Sequence, residues 1–209
     1  MHAEGFLVVL SGPSGAGKNT VMNAIFSSIP NLVYSVSVTT RAPRDGEREG
    51  IDYFFRTPED FSQMVERGEL IEWAQFCGNY YGTPRFFVED MISQGKIVIM
   101  DIETLGAAQI RKKMPEAVLV FLLPPSWNDL KHRLLSRAQD SQEVIAERLE
   151  KSFEEINKMA EYDYFIINDD LENAAEQLRT IIKAEMSRVS RIKLDEFRTL
   201  WQGGKSDNE

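Results

Sequence analysis

A glycine-rich segment near the start of the chain holds the residues best suited to chemistry. It reads LSGPSGAGKNT, residues 10–20, with the spacing Gly12-x-x-x-x-Gly17-Lys18. Glycines at 12, 15 and 17 let the backbone turn tightly and point N–H groups at phosphate oxygens, and a following helix adds the positive end of its dipole. A buried strand pattern precedes the loop and a helical pattern follows it. The segment therefore predicts binding of a nucleoside triphosphate, with Lys18 reaching the terminal phosphates.

The residue after the lysine departs from the usual form of this loop, in which a Ser or Thr hydroxyl helps to hold Mg²⁺. This chain has Asn19 there, and the hydroxyl comes one residue later, at Thr20. An amide oxygen is a hard ligand that suits Mg²⁺, and Mg²⁺ often keeps several waters, one of which Thr20 could bind. We therefore expect Asn19 and Thr20 to serve a Mg²⁺ ion, partly through water.

A second group of candidate residues lies in the segment TTRAPRDGEREGIDYFF, residues 39–55. Arg41 and Arg44 flank a proline, and Tyr53 follows a few residues later. Guanidinium forks with a phenol hydroxyl nearby suit a doubly charged phosphate group, and Tyr81 offers a second hydroxyl. Residues 41–49 contain three arginines and three acids, so a solvated run of charges is the alternative interpretation.

Three more arginines lie in the second half of the chain. Arg133 and Arg137 are four residues apart and share one face of a predicted helix, and Arg148 follows the polar stretch AQDSQE. Phosphoryl transfer between two bound anions requires charge screening and exclusion of water, which arginines on a mobile lid can provide. The alternative is that all three are surface residues of charged helices.

The elements that must position these residues follow from the apolar pattern. Short apolar runs predict buried strands at FLVVL (6–10), KIVIMDI (96–102), AVLVFLL (117–123) and YFIIN (164–168). Helical patterns alternate with them at about 18–28, 104–113, 126–137, 142–160 and 170–188. This alternation predicts a three-layer α/β fold with a parallel sheet.

Residues 35–83 break the alternation. Their short segments are separated by the turn signals Asp45-Gly46 and Gly78-Asn79, and only residues near 58–67 have a helical pattern. We expect a small, mostly antiparallel subdomain inserted between elements of the main sheet. At the other end of the chain, RIKLDEFRTLW (191–201) is compatible with an amphipathic helix or with a dangling end.

Composition narrows the class of protein. The 209 residues, 43% hydrophobic and 27% charged, suit a globular protein with one sizeable core. The net charge of −9 argues against a general nucleic-acid binder. Cys77 is the only cysteine, which excludes an internal disulfide and suits a reducing compartment. No apolar run approaches the ~20 residues that cross a bilayer, and residues 1–5 do not resemble a signal peptide, so we expect a cytoplasmic protein without a membrane partner.

Several blocks together resemble one enzyme family. SVSVTTRAPRDGEREGIDYFF, IEWAQFCGNYYGT, DIETLGA, LPPSWNDLKHRL and INDDL resemble guanylate kinase in order and spacing along residues 5–188. The resemblance implies a P-loop kinase fold whose core is formed by about 5–34, 84–137 and 160–188. It also implies a GMP-binding insertion at 35–83, a helical lid at 138–159 and a C-terminal extension at 189–209. The implied activity is Mg²⁺-dependent phosphoryl transfer from ATP to GMP, giving ADP and GDP, in purine nucleotide metabolism and GMP recycling.

The same resemblance implies roles for individual residues. It assigns ATP binding to Gly12, Pro13, Ser14, Gly15, Ala16, Gly17, Lys18, Asn19 and Thr20. It assigns GMP binding to Ser37, Arg41, Arg44, Tyr53, Glu72, Tyr81, Thr83, Asp101 and Glu103. The implied catalytic residues are Lys18, Arg41, Arg137 and Arg148, and Asp101 joins Asn19 and Thr20 as a candidate for Mg²⁺.

Glu72 is the residue that the resemblance connects with the base. A carboxylate can accept hydrogen bonds from both N1–H and the N2 amine of guanine, and the hydroxyls of Ser37 and Thr83 suit O6. From the residues alone, Glu72 could equally point to solvent. Two departures from the family pattern are Glu103, where Asp is usual, and Ala138, where Gly is common; the first leaves the role of Glu103 open.

Two other functions stay open on the sequence. One is another small phosphate-loop kinase or NTPase, against which Glu72 with Ser37 and Thr83 argues. The other is a non-catalytic kinase-like domain that binds phosphopeptides through the same arginines, against which the intact phosphate loop argues. The sequence gives no indication of the oligomeric state.

Overall fold

The fold is given by a computed structural model that describes residues 4–136, 142–192 and 194–203. In chain order its strands and helices are β1 (Phe6–Ser11), α1 (Lys18–Ile25), β2 (Leu32–Tyr34), β3 (Val38–Thr39), β4 (Phe54–Phe55), α2 (Pro58–Glu66), β5 (Leu70–Phe76), β6 (Asn79–Pro84), α3 (Arg85–Ser93), β7 (Ile97–Asp101), α4 (Thr104–Lys113), β8 (Val118–Leu123), α5 (Trp127–Leu135), α6 (Gln142–Ile156), β9 (Tyr164–Ile167), α7 (Leu171–Met186) and α8 (Leu194–Gly203). Within these ranges, no helix is both long and apolar enough to cross a membrane.

The main sheet has five parallel strands in the order β2-β7-β1-β8-β9. All six residues of β1 are buried, which suits a strand covered on both faces. Strand β1 pairs with β7 on one side and β8 on the other, so Leu10 lies beside both Asp101 and Val120. The chain leaves β1 and β7 at the same edge of the sheet, where ligands of open α/β folds bind.

Helices cover both faces of this sheet. Val21 and Ile25 of α1 pack with Leu178 of α7 in one apolar cluster. Val88 of α3 and Ile110 of α4 belong to a second cluster on the opposite face. These two clusters make the three-layer α/β arrangement, which confirms the fold predicted from the alternating pattern.

A second sheet of four short strands has the order β4-β3-β6-β5. Strands β3 and β6, and β6 and β5, pair antiparallel, while β3 and β4 are parallel. Helix α2 packs Phe61 against Val38 and Leu70 in a small separate core. Thr57 caps α2 by accepting a hydrogen bond from the Asp60 N–H. The antiparallel character and the helix both match the sequence prediction.

Strand β5 contains an irregularity that decides where its side chains point. Leu70 is opposite Pro84 and Glu72 is opposite Thr83, so two steps on β5 match one step on β6. By the ordinary alternation of a strand, Leu70 lies in the small core and Ile71 lies in the cluster formed with α3 and α4. Glu72 follows directly and lies between the two cores.

Two elements were not predicted from sequence, β2 and α3. Strand β2 has only three residues and pairs with β7 alone, so its pattern is too short to stand out. Pro84 is both the last residue of β6 and the N-cap of α3. Because one residue ends the strand and precedes the helix, no turn signal separates them in the sequence.

A buried ion pair joins the end of α7 to the start of the chain. Arg191 donates to Glu185 Oε2 at 2.8 Å, and its guanidinium lies 4.2 Å from the centroid of the Phe6 ring. The Tyr164 hydroxyl donates to Glu185 Oε1 at 2.8 Å. Burial favours the neutral acid, but the hydrogen bonds from Arg191 and Tyr164 outweigh it and lower the pKa of Glu185. The pair is therefore ionised and internally satisfied at neutral pH.

Replacing Arg191 with Met should leave the Glu185 carboxylate buried without its cation. We expect the free energy of unfolding at pH 7, measured with urea, to fall by about 3 kcal/mol. Because an unpaired buried carboxylate has a raised pKa, the deficit should shrink as the pH falls and Glu185 becomes protonated. In the unmodified protein the contribution of the pair is present above the ordinary Glu pKa of 4.5 and is lost as the pH falls through the lowered pKa of Glu185.

The matched control is Arg85→Met, because the ion pair of Arg85 with Glu89 is exposed. An exposed pair contributes little, so this variant should unfold like the unmodified protein. A deficit of Arg191→Met that is no larger than that of the control, or that does not change with pH, would contradict the proposed role of the buried pair.

Candidate active site

The loop between β1 and α1, residues 12–17 and here called the phosphate loop, requires glycine for steric reasons. Gly12 has φ +140° and Gly17 has φ +95°, conformations that other residues adopt only with strain. A Cβ on Gly12 would lie 2.2 Å from the Leu122 carbonyl oxygen, and one on Gly17 would lie 2.5 Å from Asn168 Nδ2. The loop is thus packed against the neighbouring strand β8 and the segment after β9.

Two side chains fix the phosphate loop from outside. Asn168 Nδ2 donates to the Ala16 carbonyl oxygen at 2.7 Å, and Arg133 Nη1 donates to the same oxygen at 3.3 Å. Arg133 Nη2 also donates to the Asn168 carbonyl oxygen at 2.8 Å. Asn168 lies shortly before α7, but the cap of that helix is Asp170, whose side chain accepts from the Asn173 N–H. Asn168 supports the loop instead.

Lys18 begins α1 and is held close to the loop. Its Nζ donates to the Gly12 carbonyl oxygen at 2.9 Å and to that of Pro13 at 3.4 Å. A cavity of about 570 Å³ opens between the phosphate loop, the end of β7 and α6. Its lining consists of Gly12, Ser14, Lys18, Phe76, Asp101, Ile102, Glu103, Glu147, Arg148, Lys151, Ser152 and Glu155. The predicted residues Lys18, Asp101, Glu103 and Arg148 therefore share one cavity.

Burial and nearby cations change the pKa of acidic groups in this cavity. Burial raises the pKa of Asp101, and the nearby Lys18 opposes the shift. Burial also raises the pKa of Glu155, against the influence of Lys151 and Lys18. Glu103 forms an ion pair with Lys151, with Glu103 Oε2 and Lys151 Nζ 2.7 Å apart. Glu103 thus faces helix α6 in this structure.

Sequence reasoning named Arg148 on α6 but missed its neighbours in the cavity. Lys151, Ser152 and Glu155 follow Arg148 by three, four and seven residues, which is the spacing of one helix face. The helical pattern predicted over 142–160 was a sufficient signal for this face. Arg137 and residues 138–141 of the predicted lid lie outside the described residues.

The oxygen donors near Lys18 fit a Mg²⁺ ion. Asn19 and Thr20 are exposed in the first turn of α1, and Asp101 lines the cavity. Among the residues that the structure describes, no three His, Cys, Asp or Glu side chains are grouped to hold a metal by themselves. Mg²⁺ does not need such a group, because it is usually bound by one or two carboxylates together with water and substrate phosphates.

Arg41 belongs to a compact cluster in the second sheet. Its guanidinium forms two hydrogen bonds with the Glu47 carboxylate, at 2.8 Å and 3.0 Å, and lies 5.2 Å from the Tyr53 ring centroid. The rings of Tyr53 and Tyr81 are 6.2 Å apart. Hydrogen bonds with Glu47, and with Tyr81 to a smaller extent, raise the pKa of Arg41. The structure thus brings Arg41, Tyr53 and Tyr81 together, as the sequence predicted.

Arg44 contributes differently from Arg41. Its backbone N–H donates to Glu47 Oε2 at 2.7 Å, while the residue itself is exposed. Glu47 therefore organises both ends of the Arg41–Arg44 segment. Sequence reasoning counted Glu47 only as one charge in a run of charges, because nothing in the local pattern distinguishes it from Asp45 or Glu49.

Glu72 is only 6% exposed, so the alternative that it points to solvent is wrong. Its Oε1 accepts a hydrogen bond from the Thr83 hydroxyl at 2.6 Å. Burial raises the pKa of Glu72, while Thr83 and the charge of Lys113 lower it. Ser37 lies next to β3 and is half-buried, and its backbone carbonyl accepts from the Phe54 N–H. A buried carboxylate with one occupied oxygen is suited to accept further donors from a ligand.

Comparison with known proteins identifies the family. The sequence model of the guanylate kinase family matches residues 5–185. The chain belongs to the guanylate kinase family. A guanylate kinase from Lactococcus lactis is 50% identical over 192 residues, which cover 92% of this chain and 94% of that protein. One from Desulfitobacterium hafniense is 47% identical over 188 residues, covering 90% of this chain and 94% of the relative.

The fold agrees with a solved member of the guanylate kinase family. The crystal structure of guanylate kinase from Anaplasma phagocytophilum is 36% identical in sequence and superposes with a TM-score of 0.72. The match covers 94% of each chain. The resemblance drawn from sequence blocks is thereby confirmed, both for the family and for the α/β fold.

Replacing Gly17 with Ala should impair ATP binding. The new Cβ would meet Asn168 Nδ2 at 2.5 Å, in a backbone conformation that disfavours any side chain. A left-handed conformation alone costs about 1–2 kcal/mol, so we expect the dissociation constant of ATP, measured by calorimetry, to rise about tenfold or more. The matched control is Gly68→Ala, which has φ +67° but open space around it. Unchanged ATP affinity in Gly17→Ala would contradict a tightly packed phosphate loop.

Proposed function

We propose that this chain transfers the terminal phosphoryl group of ATP to GMP, giving ADP and GDP, with the residue roles set out below. The buried Glu72 carries the proposal, because it lies in a small subdomain beside a phosphate loop and has an unusual environment for a carboxylate. A buried carboxylate is costly unless donors satisfy it, and Thr83 supplies only one. Guanine offers two more donors on a single edge, N1–H and the N2 amine.

Glu72 would then determine the choice of base. Adenine has an acceptor at N1 and no amine at position 2, so AMP would leave the desolvated carboxylate without partners. Sites that depend on such hydrogen bonds can reject the wrong ligand by ~10⁴–10⁵. Ser37 is assigned to O6. The Thr83 hydroxyl donates its single proton to Glu72 Oε1 in this structure, so it would have to turn away from Glu72 to serve O6. Asp101 and Glu103 are assigned to the part of GMP that faces the cavity.

Arg41, Tyr53 and Tyr81 would bind the phosphate of GMP, with Arg44 at the rim. In this structure the Glu47 carboxylate occupies the fork of Arg41 and stands where one edge of a phosphate dianion would bind. A carboxylate and a phosphate each present two oxygens that can accept from both arms of a guanidinium fork. Binding of GMP would therefore require Arg41 to share its donors between Glu47 and the phosphate.

Phosphoryl transfer would take place in the cavity beside Lys18. The backbone of residues 12–17 and the dipole of α1 would bind the ATP phosphates, and Lys18 would neutralise charge on the transferred group. Asn19, Thr20 and Asp101 would hold Mg²⁺, which screens the phosphate charges when bound. Arg148 and Arg137 of the lid would complete the screening and exclude water as the GMP phosphate attacks in line. No protein nucleophile is required.

The setting of the reaction follows from the same residues. We place the protein in the cytoplasm, because its substrates are free nucleotides and its single cysteine, Cys77, is exposed and unpaired with another cysteine. Nucleic acid is not an expected partner, since the net charge is −9.

The first test concerns the phosphate loop. Lys18→Ala should lower turnover of ATP and GMP by at least about 100-fold, because it removes a cation at the transferred group. Asn19→Ser should retain most Mg²⁺-dependent activity, because either side chain offers an oxygen ligand. Both are measured by coupled ADP release with GMP, AMP, UMP and no acceptor. ADP release that does not depend on an acceptor would indicate an NTPase, and failure of the unmodified protein to bind ATP would indicate a non-catalytic domain.

The second test concerns the base. Glu72→Gln keeps the size of the side chain but replaces one acceptor by a donor, so kcat/KM for GMP should fall about 10- to 100-fold. The KM for ATP should barely change, and discrimination between GMP and AMP should narrow. Asp60→Asn, on the exposed side of α2, is the control. Equal losses for GMP and AMP would show that Glu72 does not read the base.

A further inference from the structure

Helix α4 connects the two sheets, and one of its faces lies against β5. Gly106, Gln109, Ile110 and Lys113 occupy this face, at the spacing i, i+3, i+4 and i+7. Ile110 and Ile71 of β5 belong to the same buried cluster. The other three residues of the face contact polar groups of β5, and none of them was singled out from sequence.

The side chain of Gln109 forms hydrogen bonds with the edge strand β5 where a neighbouring strand would otherwise do so. Strand β5 pairs with β6 on one side only, because it is the last strand of its sheet. On the open side, Gln109 Nε2 donates to the Trp73 carbonyl oxygen at 3.1 Å, and Gln109 Oε1 accepts from the Trp73 N–H at 3.3 Å. A carboxamide has the donor and the acceptor that a neighbouring backbone would provide. The residue held in this way is the one directly after Glu72.

Lys113 holds β5 on the other side of the irregularity. Its Nζ donates to the Leu70 carbonyl oxygen at 2.9 Å. The contacts of Lys113 and Gln109 therefore enclose Ile71 and Glu72, which are the residues at the register shift. A strand irregularity sets side-chain direction, and a slip of one residue would turn Glu72 to the opposite face.

Gly106 brings the backbone of α4 close to the carboxylate itself. A Cβ at this position would lie 3.0 Å from Glu72 Oε2. The oxygen that Thr83 does not occupy therefore lies close to the backbone of α4. The same helix begins directly after Asp101 and Glu103, so it links the base site with the phosphate cavity.

We propose that Gln109 is a positioning residue for base specificity, which acts by fixing the β5 irregularity so that Glu72 is directed at the guanine edge. The proposal rests on the proposed role of Glu72. The two hydrogen bonds that the Gln109 side chain forms within the described part of the chain both join the β5 backbone at Trp73, so it would influence the base through the position of Glu72. Small displacements of positioning groups can reduce efficiency by up to about 100-fold.

The test uses Gln109→Ala, which removes both hydrogen bonds, and Gln109→Glu, which keeps the size but places a charged acceptor against the Trp73 carbonyl. The matched control is Lys112→Ala, which changes an exposed residue of the same helix. We measure kcat/KM for GMP, IMP and AMP, the KM for ATP, and the melting temperature. Efficiency with GMP should fall about tenfold or more in both variants, with a much smaller change for AMP and an unchanged KM for ATP. The control should keep all five values.

Gly106→Ala provides a second route to the same measurement, because its Cβ would press on Glu72 directly. It should also lower the ratio of kcat/KM for GMP to kcat/KM for AMP, while the hydrogen bonds between Gln109 and Trp73 remain. If Gln109→Ala does not fold, Gln109→Glu and Gly106→Ala decide the question. Equal losses for GMP and AMP, or a lower melting temperature with an unchanged ratio, would overturn the proposal and leave Gln109 a structural residue.

A double-variant cycle separates this inference from the function on which it rests. If Gln109 acts through Glu72, Gln109→Ala should narrow discrimination much less in a Glu72→Gln background than in the unmodified protein. Additive effects would overturn the positioning role. If Glu72→Gln itself leaves discrimination intact, the proposed function of Glu72 fails. If the Gln109 variants leave discrimination between GMP and AMP intact and Glu72→Gln does not, the proposed role of Glu72 stands and the positioning role of Gln109 fails.

Discussion

The burial of β1 between β7 and β8 is the constraint from which the active site follows. Strand β1 has hydrogen-bonded neighbours on both sides and helices on both faces. The chain can therefore reach the surface only where the strand ends, and it must turn sharply after Ser11. At that point the Leu122 carbonyl leaves no room for a side chain, and Gly12 takes a conformation with φ +140°. The turn directs the loop toward the cavity, and Asp101 reaches the same edge because β7 runs parallel to β1. Substrate phosphates can therefore be bound by backbone N–H groups beside one lysine and one carboxylate.

The cavity beside the phosphate loop is lined by both carboxylates and cations. Asp101, Glu103, Glu147 and Glu155 line it together with Lys18, Arg148 and Lys151. Burial raises the pKa of Asp101 and Glu155, and the nearby Lys18 opposes both shifts. Lys151 is paired with Glu103, and Arg41 is paired with Glu47. Internal carboxylates thus hold some of the cations in place, and in the proposed function a phosphate would compete with Glu47 for Arg41.

Helix α4 links the phosphate cavity to strand β5. The helix starts at the phosphate cavity, packs into the main core through Ala107 and Ile110, and contacts β5 through Gln109 and Lys113. The phosphate loop has comparable support from Asn168 and Arg133. In our proposal Gln109 and Asn168 bind no substrate. Each instead fixes the backbone at or next to a residue that does. Such supporting residues keep a site in position while the side chains around it change partners.

The sequence by itself determined the α/β alternation, the inserted mostly antiparallel sheet, the phosphate loop and the family. These features are local: a strand, a loop and a helix are adjacent in the chain, and the blocks around Arg41 and Glu72 have characteristic residues at fixed spacing. Only the tertiary structure decided that Glu72 is buried, that Glu47 pairs with Arg41, and that Asn168 supports the loop rather than capping α7. It also revealed Gln109, which lies 36 positions from Trp73. Contacts between side chains and distant backbone depend on how the layers pack, and no periodicity or spacing along the chain encodes them.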